Sequence, residues 1–114
     1  MDREFIYFKP FEKNWNELGL TDEDLEELEI MIMTNPEAGK VIQGTGGLRK
    51  IRFALPNRGK SGSVRVLYVD FVSFEKTYFI NVYPKNEKEN ITDKEKQLYK
   101  QIIDETLKHL KGVE

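Results

Sequence analysis

The sequence predicts an α+β domain in which helical segments come first, an antiparallel β-meander of three to four strands follows, and a helix closes the chain. Three features of the pattern support this prediction. Apolar residues recur at helical spacing after Thr21, alternate with basic residues after Gly47, and return to helical spacing after Thr92. No internal repeat or Pro/Ser-rich linker divides the chain, so we interpret residues 1–114 as one domain.

The first third of the chain predicts one short strand and one or two helices. An apolar run at 5–8 is typical of a strand, and Pro10 ends it; the segment 11–18 continues as turn or helix. Thr21 is suited to cap a helix, and the three acidic residues after it complement the positive end of the helix dipole. The Asn-Pro pair that ends at Pro36 stops this helix.

The middle of the chain predicts the meander, with strands at 48–55, 63–71 and 76–83. Pro, Asn and Gly residues between the first two strands indicate a hairpin connection. In the first strand, Lys50 and Arg52 alternate with apolar residues, so one face is cationic and the other faces a core. The third strand is apolar at consecutive positions, which predicts a central strand covered on both faces.

The last segment predicts an amphipathic helix. Thr92 and Glu95 stand at the spacing of a capping box, in which each residue satisfies a backbone N–H of the other. The apolar stripe that follows consists of Tyr99, Ile102, Ile103, Thr106, Leu107 and Leu110.

Composition excludes several classes of function. The chain has no cysteine, which removes disulfides, thiolate metal sites and cysteine nucleophiles, and its one histidine, His109, cannot form a His-rich metal site. We therefore expect no cofactor and no metal. No apolar run is long enough to span a membrane, and a cytoplasmic protein without a membrane partner is expected.

Charge is segregated along the chain, although the formal net charge is only −2. Residues 1–39 carry 3 basic and 11 acidic side chains, whereas residues 40–69 carry seven basic side chains and no acidic one. A block of this kind favours a polyanion such as RNA or DNA. The competing interpretation is a solvated basic segment that pairs with the acidic N-terminal helix.

Basic side chains on a sheet, with tyrosines nearby, are suited to metal-independent cleavage of RNA. The 2′-hydroxyl is an internal nucleophile, so the protein has to orient the phosphate, neutralise its growing charge and move protons. Guanidinium groups suit the second task because they stay charged and bind two oxygens at once. Tyr68 or Tyr83, if exposed, would stack on a base, although either residue is equally suited to a core.

Three segments of the sequence resemble a known family. The stretches 39–52, 65–68 and 83–87 look like the HigB branch of RelE-type bacterial toxins, within the RelE/ParE superfamily. This resemblance implies the toxin of a type II toxin–antitoxin pair, which enters the ribosomal A site, contacts rRNA and cuts mRNA there. It also implies a fold similar to small microbial ribonucleases, and a tightly bound antitoxin of the HigA type.

The resemblance assigns roles to individual residues. Lys50 and Arg52 match paired basic positions on the first meander strand, and Arg65 matches the arginine that holds the scissile phosphate. Lys85 matches a basic residue after the third strand, and Tyr83 completes the predicted catalytic set as a candidate proton carrier. The residues predicted to bind RNA are Arg49, Arg58, Lys60 and Tyr68.

Two departures from the family pattern leave the proton carrier open. Asn86 stands where RelE has a further arginine, and Thr92 stands where RelE has a tyrosine that transfers protons. Tyr83, Tyr68 or a lysine with a lowered pKa are the alternatives. Two other functions also remain open at this point, a ParE-like toxin that inhibits gyrase and an inactive relative that binds rRNA.

Overall fold

A computed structural model describes residues 3–55, 63–85 and 90–112 of the protein, so the predicted hairpin connection at 56–62 lies outside the described residues. In chain order the elements are β1 (Glu4–Tyr7), α1 (Lys9–Glu17), α2 (Asp22–Thr34), β2 (Lys40–Val41), β3 (Arg49–Ala54), β4 (Ser63–Phe71), a 3-10 turn (Val72–Phe74), β5 (Lys76–Pro84) and α3 (Asp93–Leu110). The predicted α+β class and order of elements are confirmed.

The strands form one mixed sheet of five strands, in the order β1-β5-β4-β3-β2. The antiparallel meander of β3, β4 and β5 is predicted from the sequence, and so is a strand at the position of β1. Two strands extend the meander: β1 lies parallel to β5, and β2 forms an antiparallel edge of two residues beside β3. A strand of two residues has no periodicity, which explains why the sequence does not predict it.

The helix starts follow from local hydrogen bonds. The Thr21 side chain accepts from the backbone N–H of Asp24 at 3.1 Å, and the Asp24 carboxylate accepts from the N–H of Thr21 at 2.9 Å. Thr92 and Glu95 make the same reciprocal pair at the start of α3. Both caps confirm the prediction. Helix α1 begins after Phe8 without a side-chain cap, so its sequence signal is weaker.

One core lies between the sheet and the first two helices. Phe79 of β5 is at its centre and stacks on Phe11 of α1 with ring centroids 5.2 Å apart. Tyr68 of β4 and Leu28 of α2 are fully buried in the same cluster. The first two helices therefore pack on one face of the meander.

A second core lies on the opposite face of the sheet, beneath α3. Leu67 and Ile80 alternate with residues of the first core and pack with Ile103 of α3. Strand β5 contributes to both cores, which confirms that it is a central strand covered on both faces. The turn into β3 also packs here, where three glycines with positive φ surround the buried Thr45.

Candidate active site

Strand alternation places the predicted cations on the α3 face of the sheet. Ile51 and Phe53 pack in the core of the first two helices, so Lys50 and Arg52, which alternate with them, project from the other face. Arg65 projects from this face as well, because both of its neighbours on β4 belong to the first core. The acidic helix α2 lies behind the sheet.

The sheet register aligns three predicted catalytic residues in one row. Arg52 of β3 lies directly opposite Arg65 of β4, and Arg65 lies directly opposite Tyr83 of β5. Directly opposed residues have Cβ atoms about 5 Å apart. Lys50 is two residues before Arg52 on β3 and therefore shares its face, and Lys85 follows the end of β5. We call Arg52, Arg65 and Tyr83 the cross-strand row.

The position of Tyr83 in the row depends on a β-bulge. The pairing of β4 with β5 shifts between Leu67 and Tyr68, which face Asn81 and Phe79 respectively and leave Ile80 as the extra residue. Without this extra residue Tyr83 would lie on the opposite face, because one step of register exchanges the two faces of a strand. The bulge therefore brings Tyr83 beside Arg65.

The cross-strand row is electrostatically unfavourable in the free protein. Like charges directly opposite each other destabilise a sheet, and Arg52 and Arg65 are such a pair. Among the described residues, no carboxylate forms an ion pair with Lys50, Arg52, Arg65 or Lys85. The Nη1 atom of Arg65 is buried and has no hydrogen-bond partner in the described part of the chain. This arrangement is suited to bind an anion.

The described basic residues do not pair with the acidic helix. Of the seven cations at 40–69, five lie in the described part of the chain, and none of these five forms an ion pair with a carboxylate of α2. Arg58 and Lys60, both predicted to bind RNA, lie outside the described residues, as does Asn86. The interpretation of the basic block as a partner of α2 therefore has no support among these five cations.

Tyr68 has a structural role, and it does not have the exposure that its predicted stacking on RNA requires. Its ring is fully buried, and its hydroxyl accepts from the Gly39 N–H at 2.9 Å and donates to the Pro36 carbonyl at 2.8 Å. Burial raises the pKa of the Tyr68 phenol, so the hydroxyl stays protonated and keeps its hydrogen bond to Pro36. Arg49 fixes the same loop by donating to the carbonyls of Glu37 and Gly39, while its contact with RNA stays a prediction.

We predict that Gly39→Ala destabilises the protein by about 1–3 kcal/mol. A Cβ atom at residue 39 would lie 2.8 Å from Cε1 and 2.9 Å from the hydroxyl of the buried Tyr68, so the ring or the loop has to move. Urea denaturation would measure the loss. Gly44→Ala at an exposed turn with φ +81 is the control for backbone strain, since its Cβ meets no atom within 4 Å. A smaller loss for Gly39→Ala than for Gly44→Ala would contradict the steric explanation.

Thr92 is fully engaged at the start of α3. Its hydroxyl accepts from the Glu95 N–H at 3.1 Å and lies 3.1 Å from the Glu95 carboxylate. Because the Thr92 hydroxyl is used in the capping box, the proton carrier of the cross-strand row has to be another residue. Tyr83 is the phenol nearest to Arg65 in the sheet register and is only 7 % exposed.

Sequence reasoning missed a group of polar residues beside the row. Asn14 of α1 donates to the side-chain oxygen of Asn81 at 2.7 Å, and the amide nitrogen of Asn81 lies 3.4 Å from the hydroxyl of Tyr99 on α3. Together with Tyr83 they line a cavity of about 220 Å³. The alternation of faces along β5 does not predict the position of Asn81, because only the bulge turns this residue toward the cavity.

Clusters of metal ligands and membrane-spanning helices are both absent from residues 3–55, 63–85 and 90–112. No three His, Asp or Glu side chains cluster there as candidate metal ligands. No helix in the same ranges is both long and apolar enough to cross a membrane.

Comparison with known proteins identifies the family. Residues 5–112 match the family model described as the RelE toxin of the RelE/RelB toxin–antitoxin system. The chain belongs to the RelE toxin family. As a RelE-family toxin it has a cognate antitoxin as its partner, and the resemblance found in the sequence is confirmed at this level.

Solved structures of RelE proteins share the fold. A mutant of the E. coli toxin RelE in the free state is 19% identical, with a TM-score of 0.54, over 78% of this chain and 90% of that one. RelE in the intact E. coli RelBE complex is 22% identical, with a TM-score of 0.52 over 75% and 99% of the two chains. RelE in the archaeal RelE-RelB complex from Pyrococcus horikoshii is 18% identical, with a TM-score of 0.51, over 77% of this chain and 100% of that one.

Proposed function

We propose that this RelE-family toxin is a ribosome-dependent mRNA endoribonuclease, which cleaves RNA through the 2′-hydroxyl and thereby inhibits translation. The cross-strand row carries this proposal. Arg52 and Arg65 lie directly opposite each other and form no ion pair with a carboxylate of the described residues, and a buried Nη1 atom of Arg65 has no hydrogen-bond partner among those residues. Such a pair is costly to the free fold and is relieved by a phosphate.

The proposed chemistry needs only groups that lie on this face of the sheet. The 2′-oxygen attacks phosphorus and loses its proton to a base, the bond from phosphorus to the 5′-oxygen breaks, and that oxygen receives a proton from an acid. The products are a 2′,3′-cyclic phosphate and a 5′-hydroxyl. Negative charge grows on the phosphoryl oxygens in the transition state, so donors already in place stabilise it most.

The roles of the individual residues follow from their positions. Arg65 and Arg52 bind the non-bridging oxygens of the scissile phosphate. The Tyr83 phenol, at the third position of the row, is the acid that gives its proton to the departing 5′-oxygen, and the base that takes the proton of the 2′-hydroxyl is not assigned to a residue. Lys50 and Lys85 bind neighbouring phosphates as exposed or half-buried point charges. Arg49, Arg58 and Lys60 are proposed to contact RNA or rRNA more peripherally.

The finer family assignment is part of the same proposal. The segments 39–52, 65–68 and 83–87 support a HigB-like branch, with a HigA-like DNA-binding antitoxin as partner and translated mRNA in the cytoplasm as substrate. An antitoxin that covers the cross-strand row or blocks entry to the ribosomal A site would silence the toxin, because both routes prevent contact with phosphate.

The proposal is tested by inducing the toxin in cells and mapping mRNA ends on ribosomes. Wild type is compared with Arg52→Ala/Arg65→Ala, which removes two charges from the row. Lys108→Ala/Lys111→Ala is the matched control, since it removes two exposed charges from the far end of α3. We expect cuts in phase with codons, ending in 2′,3′-cyclic phosphate, in wild type and in the control but not in the row variant.

Two other results would overturn the proposal. Translation arrest without mRNA cuts would indicate an inactive relative that binds rRNA. DNA damage with intact mRNA would indicate a toxin of the ParE type that inhibits gyrase.

A further inference from the structure

The cavity of about 220 Å³ lies where three elements meet beside the cross-strand row. Strand β1 pairs with β5 only as far as Phe79, so no strand from the described residues lies on that side of the last part of β5. Helix α1 and the start of α3 approach this open side, and the cavity lies between them. Tyr83 belongs both to the row and to the cavity wall, so the two are continuous.

The wall of the cavity combines aromatic and hydrogen-bonding groups. Tyr83 and Tyr99 contribute rings, and Asn14 and Asn81 contribute amides. The contact from the Asn81 amide nitrogen to the Tyr99 hydroxyl is long, at 3.4 Å, and is therefore weak. Because this bond is weak, a ligand that offers an acceptor at this point replaces it at little cost.

The charge of the cavity wall is opposite to that of the row. Glu17 from the end of α1 and Glu95 from the first turn of α3 both line the cavity, and no Lys or Arg is among its described lining residues. Two carboxylates disfavour a phosphate at this position. They favour a flat group that donates hydrogen bonds, such as the edge of a nucleobase.

The distance to the row matches the dimensions of one nucleotide. Leu67 also lines the cavity, and it is two residues from Arg65 on the same face of β4, a separation of about 7 Å along the strand. A phosphate can therefore bind at the cations while a base occupies the cavity. This base belongs either to the same nucleotide or to its neighbour.

We propose that this cavity binds the base of a nucleotide that flanks the scissile phosphate, and that Glu17 selects bases with an exocyclic amino group. This inference rests on the proposed function. The Glu17 carboxylate accepts from the amino group of adenine, guanine or cytosine, while Tyr83 and Tyr99 contact the ring face. The amino group stands at C6 of adenine, at C4 of cytosine and at C2 of guanine, and uracil has a carbonyl oxygen at each corresponding position. Uracil therefore offers the carboxylate only its N3–H, which lies between two oxygens that repel it.

The first experiment measures cleavage on ribosomes programmed with mRNAs that differ only in the bases on either side of the cut. At one of these two positions, we expect wild type to cut the uridine substrate about tenfold more slowly than the other three. Glu17→Gln reduces this difference, because its amide offers uracil a donor. Glu12→Gln is the matched control, an exposed glutamate of α1 that does not line the cavity, and it leaves the difference intact.

A second experiment separates failure of this inference from failure of the proposed function. The side-chain amide NMR signals of Asn14 and Asn81 are followed while the four nucleoside 5′-monophosphates are added to the toxin, without ribosomes. We expect larger shifts with AMP, GMP or CMP than with UMP, and we expect Glu17→Gln to remove the difference.

The outcomes are distinct. Codon-phased cleavage with no base preference, or with a preference that Glu17→Gln does not change, overturns the base-binding role and leaves the nuclease intact. Absence of cleavage, together with selective amide shifts, overturns the proposed function and retains the base site. Equal shifts with all four nucleotides overturn the selectivity of the cavity.

Discussion

We expect Arg65→Ala to lower the rate of mRNA cleavage by about 100- to 1,000-fold, the usual effect of removing one preorganised donor from a developing oxyanion. Arg65 is the middle residue of the cross-strand row, with Arg52 on one side and Tyr83 on the other. Its buried Nη1 atom has no hydrogen-bond partner among the described residues, so no internal contact competes with a phosphate. A single-turnover assay with purified toxin and programmed ribosomes measures the rate.

Two controls distinguish catalysis from folding. Arg65→Lys retains the charge but loses the bidentate geometry, so we expect a rate between those of wild type and Arg65→Ala. Thermal unfolding of Arg65→Ala should change little, because relief of the repulsion with Arg52 offsets the packing that is lost. Cleavage by Arg65→Ala within fivefold of wild type would contradict a role for Arg65 in holding the phosphate.

The part of the site that strand periodicity controls could be predicted from the sequence. Alternation of apolar and basic residues fixes Lys50 and Arg52 on one face of β3, and the same rule applies to Arg65 on β4. The capping residues Thr21 and Thr92 are equally local signals, and both mark helix starts in the structure. Local rules of this kind need no knowledge of the rest of the chain.

The part that depends on pairing between distant segments could not be predicted. The extra residue at Ile80 in β5 decides which face Tyr83 occupies, and a period of two cannot reveal it. Tyr68 has the aromatic ring of a stacking residue, but its burial and its two hydrogen bonds to the loop make it part of the core. Asn14 and Asn81 are 67 residues apart in sequence and become neighbours only through the packing of α1 on β5.

A buried ion pair at the other end of the sheet affects the stability of the fold and takes no part in the candidate active site. Arg3 Nη1 lies 3.1 Å from Asp70 Oδ1, and the two side chains are only 2% and 4% exposed. The Thr77 hydroxyl donates to the same Asp70 oxygen at 2.7 Å, whereas the second carboxylate oxygen is buried with no hydrogen-bond partner in the described residues. The pair is therefore incompletely compensated for the loss of water.

We predict that Asp70→Asn destabilises the toxin by about 3–5 kcal/mol, because it leaves the charge of Arg3 buried without a counter-ion. The triple variant Arg3→Met/Asp70→Leu/Thr77→Val removes every member of the network, and we expect its stability to return to the wild-type value or above it. Urea denaturation of both variants measures the difference. A loss below about 1 kcal/mol for Asp70→Asn would mean that Arg3 reaches water when its partner is neutral. A triple variant less stable than Asp70→Asn would mean that the network itself, and not the isolated charge, holds this end of the sheet together.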